Sequence, residues 1–442
     1  MSPSRSAFAC AGAAGALASL AVAHQRIGLA LGLALVLVVG AAVLAAGPRV
    51  SMPLAALAVA LAAQPVVRDA GWVVAAGVAA VPIAAAAAVG APDTWRGLGR
   101  ALSAPFGLLG GMALIGRAAR TATAAVPGRH AGPVARGIAL GLALSLVFGG
   151  LFVAADEAFA DLVDRTVSLD LDAGELAWRS ILGVWFVAVA GALVGAATKE
   201  RRAGARPPAG APGRLELRIA LCAVVALFAA FVVVQLQVLF GGAAYVQQTT
   251  GLGYGEYARQ GFVQLLVVAA LTLALVAVAA RRTDRTVRWL LGALCLLTLV
   301  VLVSAHNRLL LVEDAYGLTR VRYAGFALVA WFVAIFGLVL AAGAHAPSAR
   351  RLPRIVTVLT LAGVLAFSLS NPDGRIAGSG VSRAESGRPV DVGYLGGLSA
   401  DALPALERLP EPERAAAVAA VRARLERPDG IAGANLSRAR AR

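Results

Sequence analysis

Charge is scarce in this chain. Only 14% of its 442 residues are Asp, Glu, Lys or Arg, where a soluble chain carries about a quarter. Lysine is nearly missing, with Lys199 as its single representative, so arginine supplies almost all the positive charge. The three cysteines, Cys10, Cys222 and Cys295, lie in apolar stretches and form no CxxC pair. That excludes a disulfide framework or a cysteine metal centre. Four histidines without HExxH spacing give no zinc signal. No P-loop, GxSxG elbow or Rossmann fingerprint is present, and "GLGYG" at 251–255 lacks the strand context such a loop needs. No metal and no cofactor is implied.

What the chain has in abundance is apolar length. Hydrophobic residues make up 59%, and the mean hydropathy is +0.78. Repeated runs of about 17–20 apolar residues match helices that cross a hydrocarbon layer roughly 30 Å thick. The expected fold is therefore all-α, a polytopic transmembrane helical bundle with about 11 spans. The spans are 8–23, 27–46, 50–67, 71–90, 137–155, 181–197, 219–240, 262–280, 289–305, 323–342 and 355–369. Pro53, Pro65 and Pro82 fall inside early spans, where neighbouring helices can re-satisfy freed carbonyls. The formal charge of +16 would point to nucleic acid if it formed one patch. It is instead dispersed over short loops, so the lipid bilayer is the expected partner and nucleic acid is not.

Loop charge orients the bundle. Residues 117–136, 199–218, 281–288 and 345–354 are basic, whereas 156–179 is acidic and 241–260 nearly neutral. Positively charged loops stay in the cytoplasm. The segment 101–115 is apolar but short, holds Pro105 and Gly110-Gly111, and is flanked by arginine on both sides. It reads as interfacial or re-entrant, which puts the N-terminus in the cytoplasm; if it crosses instead, the N-terminus lies outside, and everything after Leu369 is outside by loop charge in either case. Three regions follow: 1–136, N-terminal transmembrane helices with a basic cytoplasmic loop; 137–370, a core of transmembrane helices; and 371–442, a short, mostly helical extracytoplasmic tail.

Within the tail, "NPDG" is a turn signal, and a Gly- and Ser-rich stretch follows it. Ser399 can cap a short helix, and 412–426 reads as a second one with acids early and arginines late. Val418, Val421 and Leu425 give that helix one apolar stripe. The terminal "SRARAR" reads as solvated and disordered.

Polar residues gather at the expected outer face. Asp156 and Glu157 end one span, Glu256 and Arg259 open another, and the connection around 306–322 carries His306, Arg308, Glu313, Asp314, Tyr316, Arg320 and Arg322. Gln235 and Gln264 reach inward from that side. Glu256, Gln260 and Gln264, at i, i+4 and i+8, would line one helix face. Uncharged polar groups between spans most often serve as interhelical glue, worth about 0.6 kcal/mol each. An intramembrane charge defaults to function. Arg308 is the strongest such case, because four apolar residues, Leu309–Val312, follow it. Glu313, Asp314 or Glu256 would pair with it, which requires the helix to break near Asp314 or the partner to come from elsewhere; a solvated ion pair at a helix end is the competing account. Gly317 supplies a turn, Thr319 can cap the next helix, and Tyr316 fits an interfacial aromatic anchor.

Four stretches together carry a family resemblance: "GGLFVAADEAF", "LFGGAAYVQQTTGLGYGEYARQGFVQLL", "EDAYGLTRVR" and "NPDGRIA…VDVGYLGGLSADALPAL". In order and spacing they resemble a family of bacterial, actinobacterial-type multi-pass membrane proteins catalogued only as a domain of unknown function. The resemblance spans 137–406. It implies a multi-pass protein of the cytoplasmic membrane and implies no activity.

Three functional classes stay open. A transport or ligand-sensing protein with a polar site at the extracytoplasmic face is favoured by the polar residues descending from that side. A membrane enzyme acting on a lipid-linked substrate at the outer leaflet would use Asp156, Glu157 or Glu256 as acid or base, but the chain lacks the large extracytoplasmic domain that many lipid-linked glycosyltransferases carry. A scaffold would present the tail to an envelope or signalling protein. The oligomeric state is open.

Overall fold

The structure, a computed structural model, describes residues 27–46, 50–90, 133–155, 159, 214–250, 261–280, 284–426 and 429–442. The described residues form helices and no strands. Six of their helices are long and apolar enough to cross a membrane, and two shorter apolar helices accompany them. The protein is an all-α, polytopic helical bundle. The expected spans 8–23 and 181–197 and the segment 101–115 lie outside the described residues.

The chain divides into two compact units. In the first, α1 (Leu29–Ala46), α2 (Met52–Ala62), α3 (Gln64–Val67) and α4 (Gly71–Gly90) pack together. The run expected as one helix over 50–67 is broken at Ala63. Pro65, in the first turn of α3, cannot donate to the carbonyl four residues back. Alanine dominates the core: Ala55, Ala58, Ala62, Ala80, Ala84 and Ala88 surround Leu54, Leu61 and Val81. Small side chains let helix backbones approach closely where lipid gives no hydrophobic drive. One polar link is buried among them, Ser368 donating to Gln64.

In the second unit, α5 (Pro133–Ala155), α6 (Arg214–Thr250), α7 (Phe262–Ala279) and α8 (Arg285–Tyr316) follow in sequence. Phenylalanines form its centre. Phe152 stacks on Phe231 at 3.9 Å, and Phe228 meets Phe152 and Phe148 edge-on at 4.9 and 5.2 Å. Asp284 ties one end together: it pairs with Arg218 at 2.5 Å and accepts from the Val287 N–H in the first turn of α8. Cys295 is buried and Cys222 exposed, and both are free.

Helices α6 and α8 run beyond their apolar runs. Leaving hydrocarbon does not end a helix; a backbone device does, and for α8 it is Gly317, whose φ of 78° turns the chain into α9 (Arg320–Ala344). The break expected near Asp314 does not occur. After α9 comes α10 (Ala346–Leu369).

The tail is a folded layer. Asn371, at φ 52°, accepts from the Gly374 N–H and starts α11 (Pro372–Glu385), so the Gly- and Ser-rich stretch is helical. Then follow α12 (Val392–Gly396), a 3₁₀ turn at Ala400–Ala402, α13 (Leu403–Leu406), α14 (Glu413–Leu425) and α15 (Leu436–Ala441). Ile376, Val381, Leu395, Leu403, Leu406, Val421 and Leu425 make their common core. The expected disorder at the C-terminus is overturned: Arg438, 5% exposed, is built into the fold.

Candidate functional site

Two polar centres stand out. The first lies within the second unit. Ser304 and Arg308 are four residues apart and so share one face of α8. Both donate to Gln235 Oε1 on α6, at 2.7 and 3.2 Å. Arg308 is 4% exposed and Gln235 also 4%. Along α8, Arg308 lies about 28 Å from Trp289, which is 72% exposed as an interfacial anchor would be. That is close to one hydrocarbon thickness. The helix then continues for about 12 Å to Tyr316. A guanidinium at that depth, buried against a neighbouring helix, presents a planar array of donors suited to carboxylate or phosphate.

The second centre fastens the tail to helix ends of the first unit. Asp373 is fully buried and accepts from four donors: Arg320 Nε at 3.1 Å, Arg320 Nη2 at 2.7 Å, Trp72 Nε1 at 3.0 Å and the Ser399 N–H at 2.8 Å. Burial pushes its carboxyl up, but the Arg320 hydrogen bonds, the Ser399 N–H, Trp72 and the Arg320 charge outweigh that and hold it below the usual carboxylate range. Tyr394 adds a bond from the Arg320 N–H at 2.7 Å. Phe367, edge-on to Trp72 and tilted on Tyr323, lies beside the pair.

Nearby, Asp401 accepts from the Asp69 and Ala70 N–H groups at 2.8 and 2.9 Å, just before α4, and pairs with Arg68 at 3.4 Å. A carboxylate is favoured there by the helix macrodipole. Arg438 closes the other side. It pairs with Asp69 at 2.5 Å and Asp429 at 2.9 Å, and donates to the Ile27 carbonyl at 2.9 Å. Asn435 holds the Pro65 and Arg68 carbonyls at 3.0 and 2.9 Å. Carboxylates this thoroughly occupied are fasteners, not acids or bases awaiting a substrate.

The residues expected at one outer site are thus distributed. Gln235 and Arg308 come together with Ser304. Arg320 belongs to the tail fastening, and Arg322 lies over the Tyr316 ring at 5.7 Å and donates to the Gly317 carbonyl. His306, Asp314 and Tyr316 are exposed, and Glu313 is half-buried. Gln264 is half-buried in the first turn of α7, which starts after Gly261 at φ 74°. Asp156, Glu157, Glu256 and Arg259 lie outside the described residues. Sequence reasoning missed Arg68, Asp69, Trp72, Asp373, Asp401, Asp429, Asn435 and Arg438. The only local signals were an Arg-Asp pair in a three-residue turn and the Asp of "NPDG". Among the described residues no cluster of His, Cys, Asp and Glu could hold a metal ion.

Residues 54–409 match the family model described as Domain of unknown function (DUF4153). The match starts well before the resemblance read from the motifs and takes in α2 from Leu54 onward, α3 and α4. Comparison with curated proteins and with solved structures returned no match. The chain belongs to the DUF4153 family.

Proposed function

We propose that this DUF4153 member is a transport or ligand-sensing protein of the bacterial cytoplasmic membrane, with a polar site at its extracytoplasmic side centred on Arg308. The observation that carries this reading is the burial of a guanidinium inside a membrane-length helix, held by Gln235 from a second helix. Charges at such positions are costly and are kept where they work. A carboxylate or phosphate group is the ligand chemistry that matches it. Orientation follows from the loops: Arg285 and Arg288 open α8, and Arg351 and Arg354 lie in the half of α10 away from the tail, and basic helix starts of this kind belong in the cytoplasm. The tail is then extracytoplasmic, and the N-terminus is cytoplasmic if 8–23 crosses and 101–115 does not.

Thermal unfolding of the full chain in nanodiscs tests the ligand, with inorganic phosphate, succinate and phosphatidylglycerol as probes. An anion at about 100 times its Kd stabilises by about 2.7 kcal/mol. The parent should gain that stability and Arg308→Gln should not. Equal shifts in both would remove Arg308 from the site.

A scaffold reading has its own support. The tail is a folded layer locked to the helix ends by the part-buried pairs Arg320–Asp373 and Arg438–Asp69, a firm base for binding an envelope or signalling protein. The enzyme reading depends on Asp156, Glu157 and Glu256, outside the described residues.

A further inference from the structure

Ile431 is the most exposed large apolar side chain among the described residues, at 86%. It does not hang on a loose loop. The turn that carries it starts at Gly430, with φ 61°, and closes by the Ala434 N–H donating to the Ile431 carbonyl at 3.2 Å. Both flanks are fixed. Before the turn, the Asp429 side chain is 7% exposed and paired with Arg438 at 2.9 Å and Arg442 at 3.0 Å. After it, Asn435 is buried against the Pro65 and Arg68 carbonyls.

The position of this turn says what covers the side chain. The Ala432 and Ala434 carbonyls accept from the Ala30 and Leu29 N–H groups at 2.9 and 3.0 Å, in the first turn of the apolar helix α1. Gly28 packs on Gly433 so closely that a Cβ would collide with its carbonyl. The turn therefore sits at the N-terminal end of the apolar helix α1, the level at which that helix would leave a bilayer. Around it the exposed surface stays apolar: Ile27 is 46% exposed on the α1 side and Leu436 is 49% exposed on α15. Arg440, exposed and four residues after Leu436, shares its helix face. Apolar side chains beside an arginine, at the height of a helix end, match the headgroup–acyl boundary, where the chain buries its apolar part and the cation meets phosphate.

We propose that the C-terminal edge of the tail rests on the bilayer, with Ile431 and Leu436 inserted at the headgroup–acyl boundary and Arg440 among the lipid phosphates. This holds whichever way the protein faces and is independent of the Arg308 reading. The test uses the full chain with Cys10, Cys222 and Cys295 replaced by alanine and a single Ile431→Cys or Leu436→Cys carrying an environment-sensitive fluorophore. It is reconstituted in phosphatidylcholine–phosphatidylglycerol vesicles with and without lipids bearing a shallow nitroxide. Labels at both positions should emit blue-shifted light and be quenched by the nitroxide as strongly as a label at lipid-facing Leu33→Cys. A label at exposed Ala416→Cys on α14 should emit as in water. Water-like, unquenched emission at both positions in pure lipid would overturn the proposal, since some other macromolecule would then have to cover this edge. Agreement of the two positions guards against disturbance by either substitution.

Discussion

Replacing Asp373 by asparagine changes one atom and should undock the tail. All four of its hydrogen bonds come from donors, two on each carboxylate oxygen: Arg320 Nε and Trp72 Nε1 on one, Arg320 Nη2 and the Ser399 N–H on the other. An asparagine amide must place its own NH₂ against one of those two pairs, whichever way it is turned. Hydrogen bonds to a charged partner contribute about 1.5–3 kcal/mol each, and an unsatisfied buried donor costs about 1–3 kcal/mol. Removing one partner of a buried ion pair costs about 3–5 kcal/mol. Arg320 is 35% exposed at its side chain, so water can take up part of its charge and the lower end, about 3 kcal/mol, is expected. That is roughly a hundredfold more undocked tail. Hydrogen exchange in nanodiscs should show α11, α12 and α13 losing protection together, while α2 and α4 keep theirs. Protection at Asp373→Asn equal to the parent would refute the reasoning, because the carboxylate would not be holding the tail.

The depressed Asp373 carboxyl sets a pH expectation. A carboxylate whose folded-state pKa is lowered contributes stability that is fully present above its unfolded value of about 3.9 and is lost as pH falls through the folded value. Tail protection should therefore hold from neutral pH to about pH 4 as far as this group is concerned and fall in stronger acid, and an earlier loss, near pH 6, would contradict it. Gly28→Ala should expose 429–435 to protease, since its Cβ would push Gly433 off α1; unchanged cleavage would argue against that contact. Gly317→Ala is expected to destabilise by about 1–2 kcal/mol, because φ 78° is strained for alanine, and thermal unfolding in detergent measures it. Gln235→Leu deprives Ser304 and Arg308 of their shared acceptor and should lower stability more than Gln264→Leu, with equal effects counting against a centre at Gln235.

The bundle was legible because spanning helices need length and apolarity, and both are local properties of sequence. Helix ends were less so. Residues 306–316 look like a loop from their polarity, yet no residue before Gly317 interrupts the backbone. For α11 the start signals were present: Asn371 as cap, Pro372 and Asp373 in the first turn. The glycines and serines after them concealed a face formed by Ile376, Ala377 and Val381 that is stable only against the tail core. Of the polar centres, Gln235 and Arg308 could be singled out because a polar residue among apolar ones is conspicuous. The Asp69–Arg438 pair could not. Its partners are 369 residues apart, and "SRARAR" differs from a solvated tail only through what Arg438 meets in the fold.

The proposed function requires the tail to lie outside the cell. An impermeant maleimide applied to intact spheroplasts expressing Ala416→Cys in the cysteine-free chain reports this directly. Labelling of intact spheroplasts, with a cysteine placed at Arg282 reacting only after permeabilisation, is the expected result. Labelling of Ala416→Cys only after permeabilisation would place the tail in the cytoplasm and contradict the account.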